Sequence, residues 1–184
     1  MPKSMRIPVL LAALTATCAS GEVIRLGNMA GLELKTHVDG RPAAPPADAT
    51  LLVDDKGANL VCDFTSAGHD AAWVEFPFKF GACSEIVLDR TISDAKQKVF
   101  VILTDSADES HLFNFDTGIN GRAKVKARIV AANKAPGECF AFRWGGDDNQ
   151  KIDWPVKRIA LGVNDQPDTF VGKVDVSFHS VDCK

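Results

Sequence analysis

The densest run of aromatic and polar side chains is Arg143-Trp144-Gly145-Gly146-Asp147-Asp148-Asn149, in which a tryptophan and its charged neighbours surround a Gly-Gly turn. A flat indole offers an apolar platform, and guanidinium, carboxylate and amide groups offer planar hydrogen-bonding partners. A pyranose ring needs both, a surface for its C–H face and partners for its hydroxyls. Trp73 and Glu75 repeat the combination two residues apart, on the strand face opposite Val74, Phe76 and Phe78. His111 and Asn114 lie beyond Asp105 on a hairpin. The candidate sugar-contacting set is therefore Trp73, Glu75, His111, Arg143, Trp144 and Asp147. Phe140, Phe142 and Trp144 share one strand face, and the usual burial of Trp favours a core place for Trp144. Trp73 is the better candidate for an exposed aromatic, and Trp154, just before Pro155, for packing.

Other chemistries have thinner support. Asp105, Asp108, Glu109 and His111 form an acidic turn that could hold a metal or work as an acid–base pair, but such a composition more often marks a solvated hairpin tip. No cofactor is expected. A structural calcium ion is the one option, with Asp147, Asp148, Asp153 and Asp175 as possible oxygen ligands outside any EF-hand spacing. The stripe Lys124, Lys126, Arg128 could meet an acidic polymer, although a solvated strand face is its commoner meaning. His37, His69 and His179 are scattered and read as structural or surface residues. The chain lacks a G-x-S-x-G elbow, an H-E-x-x-H pair and a P-loop. It also lacks the E-x-D-x-x-E string of jelly-roll glycosidases, and having no Tyr it cannot supply the phenol that jelly-roll lyases use.

These groups must be carried by short strands. The 184 residues, 46% hydrophobic and 24% charged, describe a globular chain with room for a core. Its net charge of −3 gives no support for a nucleic-acid partner. From residue 22 onward apolar residues alternate with other side chains, as half-buried strands require: Leu60-Cys62-Phe64, Val74-Phe76-Phe78, Phe100-Ile102, Ile159-Leu161-Val163 and Val174-Val176-Phe178. Val125-Ala127-Ile129 against Lys124-Lys126-Arg128 is the clearest case. Turn residues such as Asn120-Gly121 and Gly145-Gly146 separate the runs, and Val99–Thr104 with Ser110–Phe115 forms the best local hairpin. Nine or ten such strands imply an all-β fold, an antiparallel β-sandwich or jelly roll.

Residues 1–20 read as an export signal: Lys3 and Arg6, the apolar run Ile7–Leu14, then small residues around Cys18. A lipid anchor on Cys18 is the lesser alternative, because Thr15 and Thr17 depart from the usual lipobox. The apolar run is too short to span a membrane, so the expectation is a secreted or periplasmic protein without a transmembrane segment. The expected organisation is a signal at 1–20, an N-terminal edge segment with a Pro-rich loop at 21–48, and the sandwich at 49–184. Export leaves Cys62, Cys83, Cys139 and Cys183, an even set that reads as two disulfides. Short loops close most easily, which favours Cys62–Cys83 and Cys139–Cys183.

The order Phe140-Ala141-Phe142-Arg143-Trp144-Gly145-Gly146, then Trp154-Pro155 before Ile159-Ala160-Leu161-Gly162-Val163, then Gly172-Lys173-Val174, resembles a known pattern. It is similar to the galactose-binding-like β-sandwich of carbohydrate-binding modules found beside bacterial glycoside hydrolases, over about residues 49–180. The resemblance implies a secreted, non-catalytic domain that binds a glycan. Two alternatives stay open: a structural or protein-interaction sandwich without a sugar site, and a small secreted polysaccharide-active enzyme. Neither the glycan nor the oligomeric state can be read from these residues.

Overall fold

Alternation of apolar and polar side chains turns one face of most strands inward, and two sheets stack on those faces. The computed structural model describes residues 17–18, 23–38, 41–43, 49–64, 70–115, 118–129, 140–165 and 171–184. Fourteen strands lie among them. They are β1 (Thr17–Cys18), β2 (Val23–Arg25), β3 (Glu33–Val38), β4 (Arg41–Ala43), β5 (Ala49–Val53), β6 (Ala58–Phe64) and β7 (Ala71–Phe80). They continue as β8 (Glu85–Ile92), β9 (Lys98–Thr104), β10 (Glu109–Asn114), β11 (Gly121–Arg128), β12 (Phe140–Gly145), β13 (Val156–Asn164) and β14 (Gly172–Cys183). The larger sheet runs β12-β10-β9-β13-β7-β3-β4, with β1 added parallel to β7. The smaller runs β11-β8-β14-β6-β5, with β2 paired to β14. Every other pairing is antiparallel. This is the expected all-β sandwich, and no helix among the described residues is long and apolar enough to cross a membrane.

The core lies between the sheets. Val74 and Phe76 of β7, Val99, Val101 and Leu103 of β9, and Ile159, Leu161 and Val163 of β13 face inward from the larger sheet. They meet Leu60 and Phe64 of β6, Ile86 and Leu88 of β8, and Val174, Val176 and Phe178 of β14. Each such side chain contributes about 1.5–3 kcal/mol on burial. Residues 23–38 supply a strand to each sheet, and Ile24 and Leu26 are buried in this core.

β9 and β13 are buried on both faces. Phe100, Ile102 and Ala160, with Leu112 of β10, form a second apolar cluster on the outer face of the larger sheet. These four side chains are only 1–9% exposed, so the larger sheet carries an apolar layer of its own on its outer face.

The expected disulfide pairing is corrected. The bond joins Cys83 to Cys183, with Cα atoms 5.7 Å apart, and Cys62 is a free, buried thiol. Cys139 lies outside the described residues, as do residues 1–16 of the expected signal and His69. Loop length did not decide the pairing; strand order did. β14 runs antiparallel to β8, so the end of β14 arrives where β8 begins, with Cys183 paired to Ile86. Cys62 points from mid-β6 into the core between Ala49 and Val174, and burial pushes its thiol up to about 12.

Candidate functional site

The outer face of the larger sheet holds a groove of about 800 Å³. Its geometry follows from the register. One row across the sheet carries Glu75, Ala160, Ile102, Leu112 and Phe142. The next, on one side, carries Lys35, Trp73, Gly162, Phe100 and Asn114. On the other side Arg158, Thr104, Ser110 and Trp144 align. A further row holds His37, Ala71 and Asn164. At about 4.8 Å per strand, Glu75 and Phe142 stand roughly 19 Å apart across the face.

Aromatic groups bound this groove on two sides. On β7, Trp73 packs edge-on against His37, with ring centroids 4.9 Å apart. On the edge strand β12, Phe142 and Trp144 are 54% and 44% exposed, with ring centroids 5.2 Å apart. The expected core place for Trp144 is thus corrected. β12 is the last strand of its sheet, and this face of it carries no covering layer among the described residues. Trp154 packs against the main core as expected.

Between the aromatic walls the floor is Phe100, Ile102, Leu112 and Ala160. Gly162 makes room for it. A Cβ there would lie 2.5 Å from the Phe100 ring, from Trp73 Cβ and from the Ala72 carbonyl oxygen. Polar groups gather at the two ends. Asp70, Asn114, Asn164 and His37 lie at one end. Thr104 and Ser110, joined through their hydroxyls at 3.0 Å, and Arg158, 3.3 Å from Glu75, lie at the other. Two buried polar atoms of groove residues have no hydrogen-bond partner, the Trp73 indole Nε1 and the Asn164 Oδ1. Burial lowers the pKa of His37, which keeps its ring neutral at pH 7.

Of the six sugar-contacting residues expected from sequence, Trp73, Glu75 and Trp144 line this groove. Arg143 projects from the other face of β12, toward Glu109 at 3.3 Å and Asp148 at 3.1 Å. His111 is on the inward face of β10 and 1% exposed. Asp147 sits in the exposed turn after β12, accepting a hydrogen bond from Asn149 Nδ2 at 2.9 Å. Sequence reading missed Phe100, Ile102, Phe142, Arg158, Asn164 and His37. Their signal was strand parity: each shares a face with a neighbour in the rows above, once the strand order is known.

The Asp105–His111 hairpin is also corrected. Asp108 is exposed at the tip, but Asp105, Glu109 and His111 are 0%, 0% and 1% exposed. Asp105 Oδ1 accepts the backbone N–H groups of Ala107 and Glu109, which closes the turn, and its Oδ2 accepts the Asp153 N–H. His111 Nε2 lies 3.4 Å from Asp105 Oδ2 and 3.5 Å from Glu109 Oε2. Burial, against the pull of His111 and Arg143, raises the pKa of Glu109. The Gly145-Gly146 turn covers this group. Gly146 has φ +59°, and a Cβ there would lie 2.5 Å from the backbone nitrogen of Glu109, so only glycine passes so close. Among the described residues this is the one group of three or more ligand-type side chains that converges as a metal site would. Asp147 and Asp153, expected as calcium ligands, are instead bridged by Asn149 Nδ2.

No protein-family profile matches the chain, and no curated protein matches it by sequence. Its fold is similar to solved structures. One is the family 11 carbohydrate-binding module of the cellulosomal cellulase Lic26A-Cel5E of Clostridium thermocellum, at 11% identity and a TM-score of 0.53, covering 91% of this chain and 96% of that one. Another is the family 11 module from Clostridium thermocellum in complex with a β-1,3-1,4-mixed-linked tetrasaccharide, at 12% identity and a TM-score of 0.53, covering 90% and 98%. The chain therefore has a β-sandwich fold like that of carbohydrate-binding modules.

Proposed function

We propose that this protein is a non-catalytic carbohydrate-binding domain whose site is the groove on the larger sheet. The observation that carries the reading is the combination of an apolar floor, aromatic walls at Trp73 and at Phe142–Trp144, and polar groups at both ends. Sugar rings stack on the first two and hydrogen-bond to the third. Trp73 Nε1 and Asn164 Oδ1 are a buried, unpartnered donor and acceptor in the wall of the groove. Asp70 and Glu75 against Arg158 leave one net negative charge in the groove, which favours a neutral glycan over a polyanion.

The same acids speak against glycoside hydrolysis. Asp70, just before β7, stands at the other end of the groove from Glu75, and five residues of extended chain put their Cα atoms roughly 16 Å apart, a poor placement for two carboxyls that must flank one bond. Two features support a secreted or periplasmic location: the charged, apolar and small-residue order of residues 1–20, and the Cys83–Cys183 crosslink.

Affinity gel electrophoresis and calorimetry against neutral soluble polysaccharides test the reading, with a β-1,3-1,4-mixed-linked tetrasaccharide as the first defined probe. Saturable binding that is lost in Trp73→Ala supports it. No binding to any neutral glycan, or binding unaffected by that substitution, overturns it.

A further inference from the structure

We propose that Asp105, Glu109 and His111 form a buried site for one divalent transition-metal ion of the zinc type. The spacing of the donor atoms is the first reason. A tetrahedral ion with bonds of about 2.1 Å holds its ligand atoms about 3.4 Å apart. His111 Nε2 lies 3.4 Å from Asp105 Oδ2 and 3.5 Å from Glu109 Oε2, and one ligand atom from each residue lies within 4.8 Å of the others.

The second reason is what the protein leaves unsatisfied. Glu109 is wholly buried, yet neither of its carboxylate oxygens accepts a hydrogen bond. Arg143 Nε stands 3.3 Å from Oε1 but out of line for one, and Oε2 faces His111. A buried carboxylate in that condition is costly unless something else neutralises it.

Charge is the third reason. Around the cluster stand Asp105, Glu109, Asp147 and Asp148 against Arg143, whose guanidinium lies 3.3 Å from Glu109 and 3.1 Å from Asp148. The carboxylates outnumber the one guanidinium, and a divalent cation offsets that excess.

The surrounding contacts are those that orient metal ligands. Asp105 Oδ1 is fixed by two backbone N–H groups and Oδ2 by the Asp153 N–H, which together hold Oδ2 beside His111 Nε2. Arg143 Nε stands 3.3 Å from the far oxygen of Glu109 as an ion-pair neighbour, and the Gly146 turn closes over the Glu109 backbone. An imidazole ligand and a closed, three-residue donor set suit zinc or a neighbouring transition ion. Calcium takes six to eight oxygens. The ion would tie the β9–β10 hairpin from its inner face, while Thr104, Ser110 and Leu112 line the groove from its outer one.

The test uses the full chain after dialysis against a chelator, with zinc alone as the probe. The expected result is saturable binding of one zinc per chain, with Tm rising by about 5–10 °C at a hundredfold excess over Kd. Cobalt substituted for zinc should give the intense visible absorption of a low-coordinate nitrogen–oxygen site. His111→Gln and Glu109→Gln should abolish zinc binding, and Asp108→Asn, at the exposed tip, should leave it unchanged. Should the two ligand variants fail to fold, X-ray absorption of the zinc-loaded wild type decides: a shell with one imidazole nitrogen and carboxylate oxygens near 2.0–2.1 Å supports the site. No saturable zinc binding by the wild type, binding that survives in folded His111→Gln, a shell without nitrogen, or an equal Tm rise with calcium overturns it. None of these readouts uses a glycan, so they stand apart from the reading of the groove.

Discussion

Gly162→Ala is a one-methyl test of how the groove floor is built. The added Cβ would lie 2.5 Å from the Ala72 carbonyl oxygen, Trp73 Cβ and Phe100 Cζ. The first two belong to β7, which is locked to β13 along its length, with Gly162 paired to Trp73. The Phe100 ring is the one neighbour able to give, and its way out leads into the groove. Gly162 has no positive φ, so the effect is one of space and not of backbone strain. Overpacking of this kind costs about 1–3 kcal/mol. In a chain of this length each kcal/mol lowers Tm by about 2–4 °C. A Phe100 ring displaced into the floor also removes the surface between Trp73 and Phe142. Glycan affinity should fall at least about tenfold, equivalent to about 1.4 kcal/mol. Scanning calorimetry reads the first effect and isothermal titration the second. A variant with wild-type Tm and wild-type affinity would refute the packing described for Phe100, Gly162 and Trp73.

Other substitutions separate the remaining terms. Trp73→Phe keeps a stacking ring but removes the unpartnered Nε1 donor, so it should weaken glycan binding about 2- to 10-fold, as titration calorimetry would show, and less than Trp73→Ala does. Cys83→Ser should lower unfolding free energy by about 4–5 kcal/mol in denaturant titration, because the Cys83–Cys183 bond closes a loop of 100 residues. Cys62, buried with its thiol pushed up to about 12, should resist a thiol reagent at pH 8 until the protein is unfolded, as mass spectrometry of labelled protein would report. Arg122, bonded to Asp89 through Nε and Nη2, holds the Asp89 carboxyl below the usual range. That pair's stabilisation is present above the ordinary carboxylate pKa and is lost as pH falls through the lowered one. Arg122→Ala should move the Asp89 titration upward by NMR.

Strand faces were legible in the sequence because their period is two. Val74 and Phe76 inward and Trp73 and Glu75 outward follow from alternation alone. Strand order was not legible. Whether Trp144 is buried depends on β12 being the last strand of its sheet, and no residue of β12 states that. The same ignorance produced the wrong cysteine pairing, since the ends of β8 and β14 meet only through the sheet. The Asp105 hairpin has the composition of a solvated turn. It is buried because the Gly145-Gly146 turn folds over Glu109, a contact between strands that only the β10–β12 register reveals. The double burial of β9 corrects its reading as a half-buried alternating strand, and its sign in the sequence is the unbroken apolar run Val99–Leu103. Such a run places an outer apolar face in the middle of the sheet, and there the groove lies.

The most direct measurement is a two-dimensional nitrogen–proton NMR titration of the indole signals. The chain has three Trp and therefore three such resonances, from Trp73, Trp144 and Trp154. As a bound glycan is titrated in, the account predicts that the indoles of Trp73 and Trp144 shift and saturate together while that of Trp154, packed against the main core, stays in place. Saturable binding that leaves Trp73 and Trp144 unmoved would contradict the assignment of the groove as the site.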